Sequence, residues 1–164
     1  MRAALLALLI VAGATLDLAT KAWARASLEP YGAASDFLPF VSLRLTFNHG
    51  ISFSMFSFDG DIGKAVLLAA TGLMTLVMTG WAYVSQGWQR TALTLIAAGA
   101  LGNLLDRALR GSVTDFLGLH FGEWYPFVFN VADIWISLGF IGLIVFQLKK
   151  PEPGLSSSEL SHKL

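Results

Sequence analysis

Asp115 and Asp133 are carboxylates placed where this chain can least accommodate charge. Asp115 follows the third of four long apolar segments. Asp133 lies just inside the fourth, in Phe129-Asn130-Val131-Ala132-Asp133-Ile134-Trp135. A carboxylate in a bilayer-spanning helix costs roughly 2.5–3.5 kcal/mol on insertion scales, so its retention needs a reason and a partner. The obvious partner of each aspartate is the other. Two carboxylates held close together share one proton, and the ionised member can take a proton from water while the protonated member polarises a carbonyl. That is the chemistry of a paired-carboxylate hydrolase.

Other polar residues cluster around the same apolar boundaries, and each has a purely structural role open to it. Asn130 is a natural N-cap, with Asp133 as the favourable acid of the first helical turn. Gly111-Ser112-Val113-Thr114-Asp115-Phe116 reads as a turn entering an interfacial strand, which would leave Asp115 solvated. Gly102-Asn103-Leu104-Leu105-Asp106-Arg107 can end a helix with a local charge pair. Asp17 and Lys21 stand four apart on one helical face, as a bare ion pair would. Singly, none of these compels an enzyme.

The elements that must position them follow from composition. The chain has 164 residues, 55% hydrophobic and 13% charged, about half the charged fraction of a soluble domain. Four segments can cross a bilayer: Ala3 to about Ala26, Ala65–Val84, Thr91 to about Leu109, and Phe127–Leu148. The expected fold is an all-α membrane protein of one domain, residues 1–150, followed by a disordered tail over 151–164 rich in Ser and Pro. Met1-Arg2 and the apolar run to Ala12-Gly13-Ala14 also resemble a cleavable signal peptide. The run continues past that point and carries Asp17 and Lys21, so a retained helix is expected. Between the first two spans, Val41-Ser42-Leu43-Arg44-Leu45-Thr46-Phe47 alternates apolar and polar, predicting a strand with one wet face. Asn48-His49-Gly50 then turns into Ile51–Met55, giving a small β-hairpin over about 41–58. Open strands cannot sit in lipid, so this element belongs at the interface. The unusual polar residues all fall on its side of the bilayer.

Several function classes drop away. Net charge is zero and no basic run occurs, so nucleic acid is not an expected partner. No cysteine is present, which removes disulfides, thiolate metal sites and a Cys nucleophile. No H-E-x-x-H or comparable cluster points to a metal, and no cofactor is expected. Ser52 falls in the predicted hairpin, and none of His49, His120 and His162 lies within a span, which argues against a serine route. A proton-coupled transporter would need polar groups at both faces, whereas the far halves of the four helices are nearly bare. Lys and Arg divide six against five between the two sides, so charge leaves the orientation open.

The ordered set Asp-x-x-Thr-Lys, Asn-x-Gly-x-Ser-Phe, Gly-Asn-x-x-Asp-Arg, Gly-x-Val-x-Asp-Phe and Phe-Asn-x-Ala-Asp closely resembles bacterial lipoprotein signal peptidases (signal peptidase II), from Asp17 to Asp133. The resemblance implies an integral inner-membrane aspartic peptidase. Such an enzyme removes signal peptides from prolipoproteins by cutting before a cysteine already bearing diacylglycerol. It implies that Asp115 and Asp133 are the catalytic pair, that Asn48, Gly50, Asn103, Arg107 and Asn130 line and order the site, and that Asp17, Lys21 and Asp106 are structural near it. It also implies cytoplasmic termini, a periplasmic β-element and an active site towards the periplasm, with lipoprotein precursors and membrane lipids as partners. A monomer is expected. The family usually has small residues after Asn-x-Gly. Ile51 and Ser52 stand there in this chain, and bulk at Ile51 would reshape a lipid-facing pocket.

Overall fold

A computed structural model describes residues 3–50 and 61–148. The element order is α1 (Ala3–Ser27), β1 (Ser35–Leu38), β2 (Val41–Asn48), α2 (Asp61–Val84), α3 (Gly87–Arg110), β3 (Val113–Phe121), β4 (Trp124–Phe129) and α4 (Val131–Leu148). All four helices are long and apolar enough to cross a membrane. Large apolar side chains such as Leu8, Leu73, Leu76 and Ile141 point outward from them, a surface suited to acyl chains and not to water.

Helix α3 is the centre of the bundle and packs against α1, α2 and α4. Half of its apolar window is buried, against about a fifth in each of the others. Small residues permit that closeness, because helix association in lipid depends on backbone approach. A methyl group on Gly139 would stand 2.5 Å from Ile96 Cγ1 and 2.6 Å from the Ala92 carbonyl oxygen, so only glycine fits where α4 crosses α3. One apolar cluster, Leu6, Ile10, Ala82, Leu93 and Ala97, holds the helices together far from the sheet. A second, Ala24, Leu45 and Phe116, seats the sheet on the end of α1. The buried charges of α1 fall between the two.

The β-element is larger than the expected hairpin. It is a four-stranded antiparallel sheet in the order β1-β2-β3-β4. Strand β2 pairs with β1 on one side and with the distant β3 on the other, with Thr46 opposite Asp115 and Asn48 opposite Val113. The expected second strand, with Ile51 and Ser52, lies outside the described residues, as does the tail expected to be disordered. The turn at Gly111 does enter a strand, as its sequence suggests, and the segment between the third and fourth spans is most of the β3–β4 hairpin. Its return strand runs to Phe129, so α4 begins at Val131 and not at Phe127. The aromatic and β-branched run Tyr125–Phe129 favours a strand, and Pro126 is tolerated because β4 is the sheet edge. The second and third spans begin four residues earlier than expected, at Asp61 and Gly87.

The alternation of β2 also holds only in part. A bulge between Leu43 and Thr46 shifts the register, and an extra residue reverses which side chains face inward. Ser42, expected on the wet face, is fully buried, and its hydroxyl donates to the Gly118 carbonyl at 3.4 Å.

Candidate active site

Three charged residues of α1 lie four apart on one helical face: Asp17, Lys21 and Arg25. Each grips a different element. The Ala132 N–H, unpaired within the first turn of α4, donates to Asp17 Oδ1 at 2.8 Å, which satisfies one of the orphan donors of that helix start. Gly102 on α3 leaves the room, since a methyl there would lie 2.5 Å from Asp17 Oδ2. Lys21 Nζ is fully buried and reaches Asp17 Oδ2 at 2.7 Å, Asn103 Oδ1 at 2.6 Å and Asp106 Oδ2 at 3.9 Å. Arg25 pairs with Asp106 at 2.6 Å and donates to the Thr114 hydroxyl. Asp106 also accepts the Thr114 backbone N–H at 2.7 Å, so the end of α3 fixes the start of β3, one residue before Asp115.

These buried charges compensate one another. Removing one partner from a buried pair strands the other and costs about 3–5 kcal/mol. Asp106→Ala is therefore expected to lower the melting temperature of the purified protein sharply, since it strands Arg25 and the buried Thr114 N–H. An unchanged melting temperature would contradict this account of the cluster.

The two aspartates of the sequence analysis meet at Asn130. Its side-chain Oδ1 accepts the Asp133 N–H at 3.1 Å, and its own backbone N–H donates to Asp133 Oδ2 at 3.1 Å. This is a reciprocal capping box in which asparagine and aspartate fill the two roles, so the helix-capping reading of Asn130 and Asp133 is realised. It does not use up the asparagine. With Oδ1 committed to a donor, Nδ2 points the other way and donates to Asp115 Oδ1 at 2.6 Å. Asn103 Nδ2 donates to Asp133 Oδ1 at 3.0 Å, and Asn48 Nδ2 reaches Asp115 Oδ2 at 3.4 Å. Asp115 is not solvated as the turn reading would have it: its residue is 5% exposed, on β3. Burial pushes its carboxyl up to about 7, the Asp133 charge adds to the push, and the Asn130 and Asn48 amides oppose it.

Asn48 Oδ1 accepts the Gly50 N–H at 3.0 Å, and Arg107 Nη2 donates to the Gly50 carbonyl at 3.1 Å. Arg107 thereby ties the end of β2 to α3. Every site residue named from the sequence is joined in this one network, from Asp17 through Lys21, Asn103, Asp133, Asn130, Asp115 and Asn48 to Gly50 and Arg107, with Asp106 linked through Lys21. Sequence reasoning missed Arg25 and Thr114. The signal was available: Arg25 continues the four-residue spacing of Asp17 and Lys21, and Thr114 immediately precedes Asp115. Among the described residues no group of His, Cys, Asp and Glu is arranged to hold a metal ion.

Four candidate spans, a sheet at one end of the bundle and two carboxylates, one buried and one half-buried, bridged by one asparagine define a multi-pass membrane protein equipped for acid–base chemistry where helices meet sheet. The model of the family described as Signal peptidase (SPase) II matches residues 9–149. The chain is 40% identical to the lipoprotein signal peptidase of Mesorhizobium japonicum over 140 residues, 85% of this chain and 82% of that protein. It is 36% identical to the lipoprotein signal peptidase of Methylorubrum extorquens over 168 residues, covering 98% and 93%. Two bacterial membrane enzymes solved by the in meso method, at 1.9 and 2.3 Å, share the fold. Their TM-scores are 0.75 and 0.77 at 23% and 24% identity, and the alignments cover 91% and 94% of this chain and 96% of each of theirs. The chain belongs to the signal peptidase II family and is a membrane peptidase.

Proposed function

We propose that this peptidase is an aspartic endopeptidase that cuts diacylglyceryl-modified prolipoproteins immediately before the lipidated cysteine. In this reading it works as a monomer in the bacterial inner membrane, with both termini in the cytoplasm, the sheet and site towards the periplasm, and no metal or cofactor. The observation that carries it is Asn130, whose side-chain amide donates to the buried Asp115 carboxylate while its backbone N–H donates to the half-buried Asp133 carboxylate. The names of the relatives supply the substrate class. Membrane lipids are the natural neighbours of the far end of the sheet, where Phe37, Phe40, Phe121 and Trp124 are exposed, as aromatic side chains are at bilayer interfaces.

The roles within the pair differ. Asp115 carries the proton, with Oδ2 its natural seat because the Asn48 contact there is long. Asp133 is the base. A water between them loses a proton to Asp133 and attacks the scissile carbonyl carbon, while Asp115 protonates the carbonyl oxygen. The resulting gem-diol returns one proton to Asp115 as the carbonyl re-forms. Asp133 passes its proton to the departing amine as the carbon–nitrogen bond breaks. Asn48, Gly50 and Arg107 flank this point and hold the substrate backbone extended. A peptide bond left in helical hydrogen bonding is closed to attack.

The test is a pH profile. The Asp115 carboxyl is raised, so its proton is present below about 7 and lost above. The reactive acid is then absent at high pH, and kcat/KM on a lipidated prolipoprotein is expected to fall about tenfold per pH unit above that point. A flat profile to about pH 9 would remove Asp115 from the acid role.

A further inference from the structure

Asn103 and Asn130 do the same thing from opposite sides: each turns its NH2 group to one carboxylate. A side-chain amide is nearly symmetric in shape, so something must decide which end faces which way. At Asn130 the backbone N–H of Asp133 decides, because it can only donate and so selects Oδ1. At Asn103 the corresponding donor is the ammonium of Lys21, 2.6 Å from Oδ1. An ammonium has donors only, so it selects the oxygen, and Nδ2 is left facing Asp133 Oδ1 at 3.0 Å. Lys21 donates to Asp17 and Asn103, and the Asp106 carboxylate stands 3.9 Å away. The side chain is fully buried, so water cannot take over any of these bonds.

We propose that Lys21 is a positioning residue for the hydrolytic reaction, acting through Asn103 to hold the Asp133 carboxylate in its productive orientation. The proposal rests on the two-carboxylate reading above and adds a residue which that reading left as scaffold. Without the ammonium the amide of Asn103 can turn over and present its oxygen to Asp133. Two acceptors then face each other, and the carboxylate swings away from the attacking water.

Simple removal of Lys21 would leave Asp17 buried without its cation, whereas Asp106 keeps Arg25, so Lys21→Met alone confounds positioning with folding. The variant to use is Asp17→Asn/Lys21→Met, which removes the close pair together and keeps an acceptor for the Ala132 N–H. Lys21→Arg is a second variant, preserving the charge on a planar fork that cannot sit where the ammonium does. Melting temperature, kcat and KM would be measured on the full-length protein in detergent with a diacylglyceryl-modified prolipoprotein, beside Asn103→Ala and its combination with Asp17→Asn/Lys21→Met. The expected result is a kcat loss of about 10²-fold in each folded Lys21 variant, the scale of a misplaced reactive group, with KM nearly unchanged. The combined variant is expected to be no slower than the worse of its parents, because both act on one contact. Wild-type kcat in a folded Lys21 variant would overturn the proposal. So would a combined loss equal to the product of the separate ones, which marks independent structural effects. Asp133→Asn run alongside separates the two ideas. If it is dead while a folded Lys21 variant is fully active, only this proposal fails; if it cleaves normally, the two-carboxylate reading fails and takes this one with it.

Discussion

Asp133→Asn and Asp115→Asn are each expected to lower kcat to near the uncatalysed background, at least the roughly 10²–10⁴-fold assigned to one positioned acid or base. The loss is large because each aspartate works only in the presence of the other, and removing either member of such a unit removes the function of both. An asparagine at 133 keeps the volume and can still accept from Asn103 or from the Asn130 N–H, but it cannot take a proton from water. An asparagine at 115 can still accept from Asn130, but it cannot lend a proton to the carbonyl oxygen. Neither substitution breaks a buried ion pair, since the cations Lys21 and Arg25 are paired with Asp17 and Asp106. Melting temperatures close to wild type are therefore expected, and the comparison reads chemistry and not folding. Normal turnover in either folded variant would contradict the roles given to the pair.

Asn130→Ala carries the second largest expected effect. It removes the Asp133 N–H acceptor and the Asp115 Oδ1 donor together. The backbone N–H of residue 130 remains to bond Asp133 Oδ2, so Asp133 stays tethered while Asp115 loses its closest partner. Loss of an N-cap side chain costs about 0.5–2 kcal/mol of stability, and loss of alignment costs about 10²-fold in rate. Asn130→Asp separates the two. It retains an N-cap acceptor but places a third carboxylate against the pair, so it is expected to restore melting temperature without restoring kcat. Recovery of both would mean that Asn130 serves only as a cap.

The helices were legible from the sequence because four predominantly apolar runs of spanning length admit few other readings. Strand β4 was not, for a specific reason. Tyr125-Pro126-Phe127-Val128-Phe129 leads into α4 with no polar break before Asn130, so an edge strand and the helix after it read as one apolar segment. The partner of β2 was hidden as well. Alternation over Val41–Phe47 announces a strand, but Thr46 meets Asp115 across nearly seventy intervening residues, and the bulge that buries Ser42 is visible only in the paired sheet. At the site, residue types and their clustering near helix ends were readable, and the structure joins those residues in one network. The direction of each amide was not readable, because it depends on which neighbour can only donate. Arg25 was passed over because a cation near the end of a spanning helix ordinarily extends to the interface. Here it turns inward to Asp106 and Thr114.

The most direct test of the central claim is cleavage of one purified diacylglyceryl-modified prolipoprotein by wild type, Asp115→Asn and Asp133→Asn, with products mapped by mass spectrometry and folding checked for all three. The account predicts a wild-type cut immediately before the lipidated cysteine and no product from either folded variant. A cut at another bond, or the same product from either variant at the wild-type rate, would contradict it.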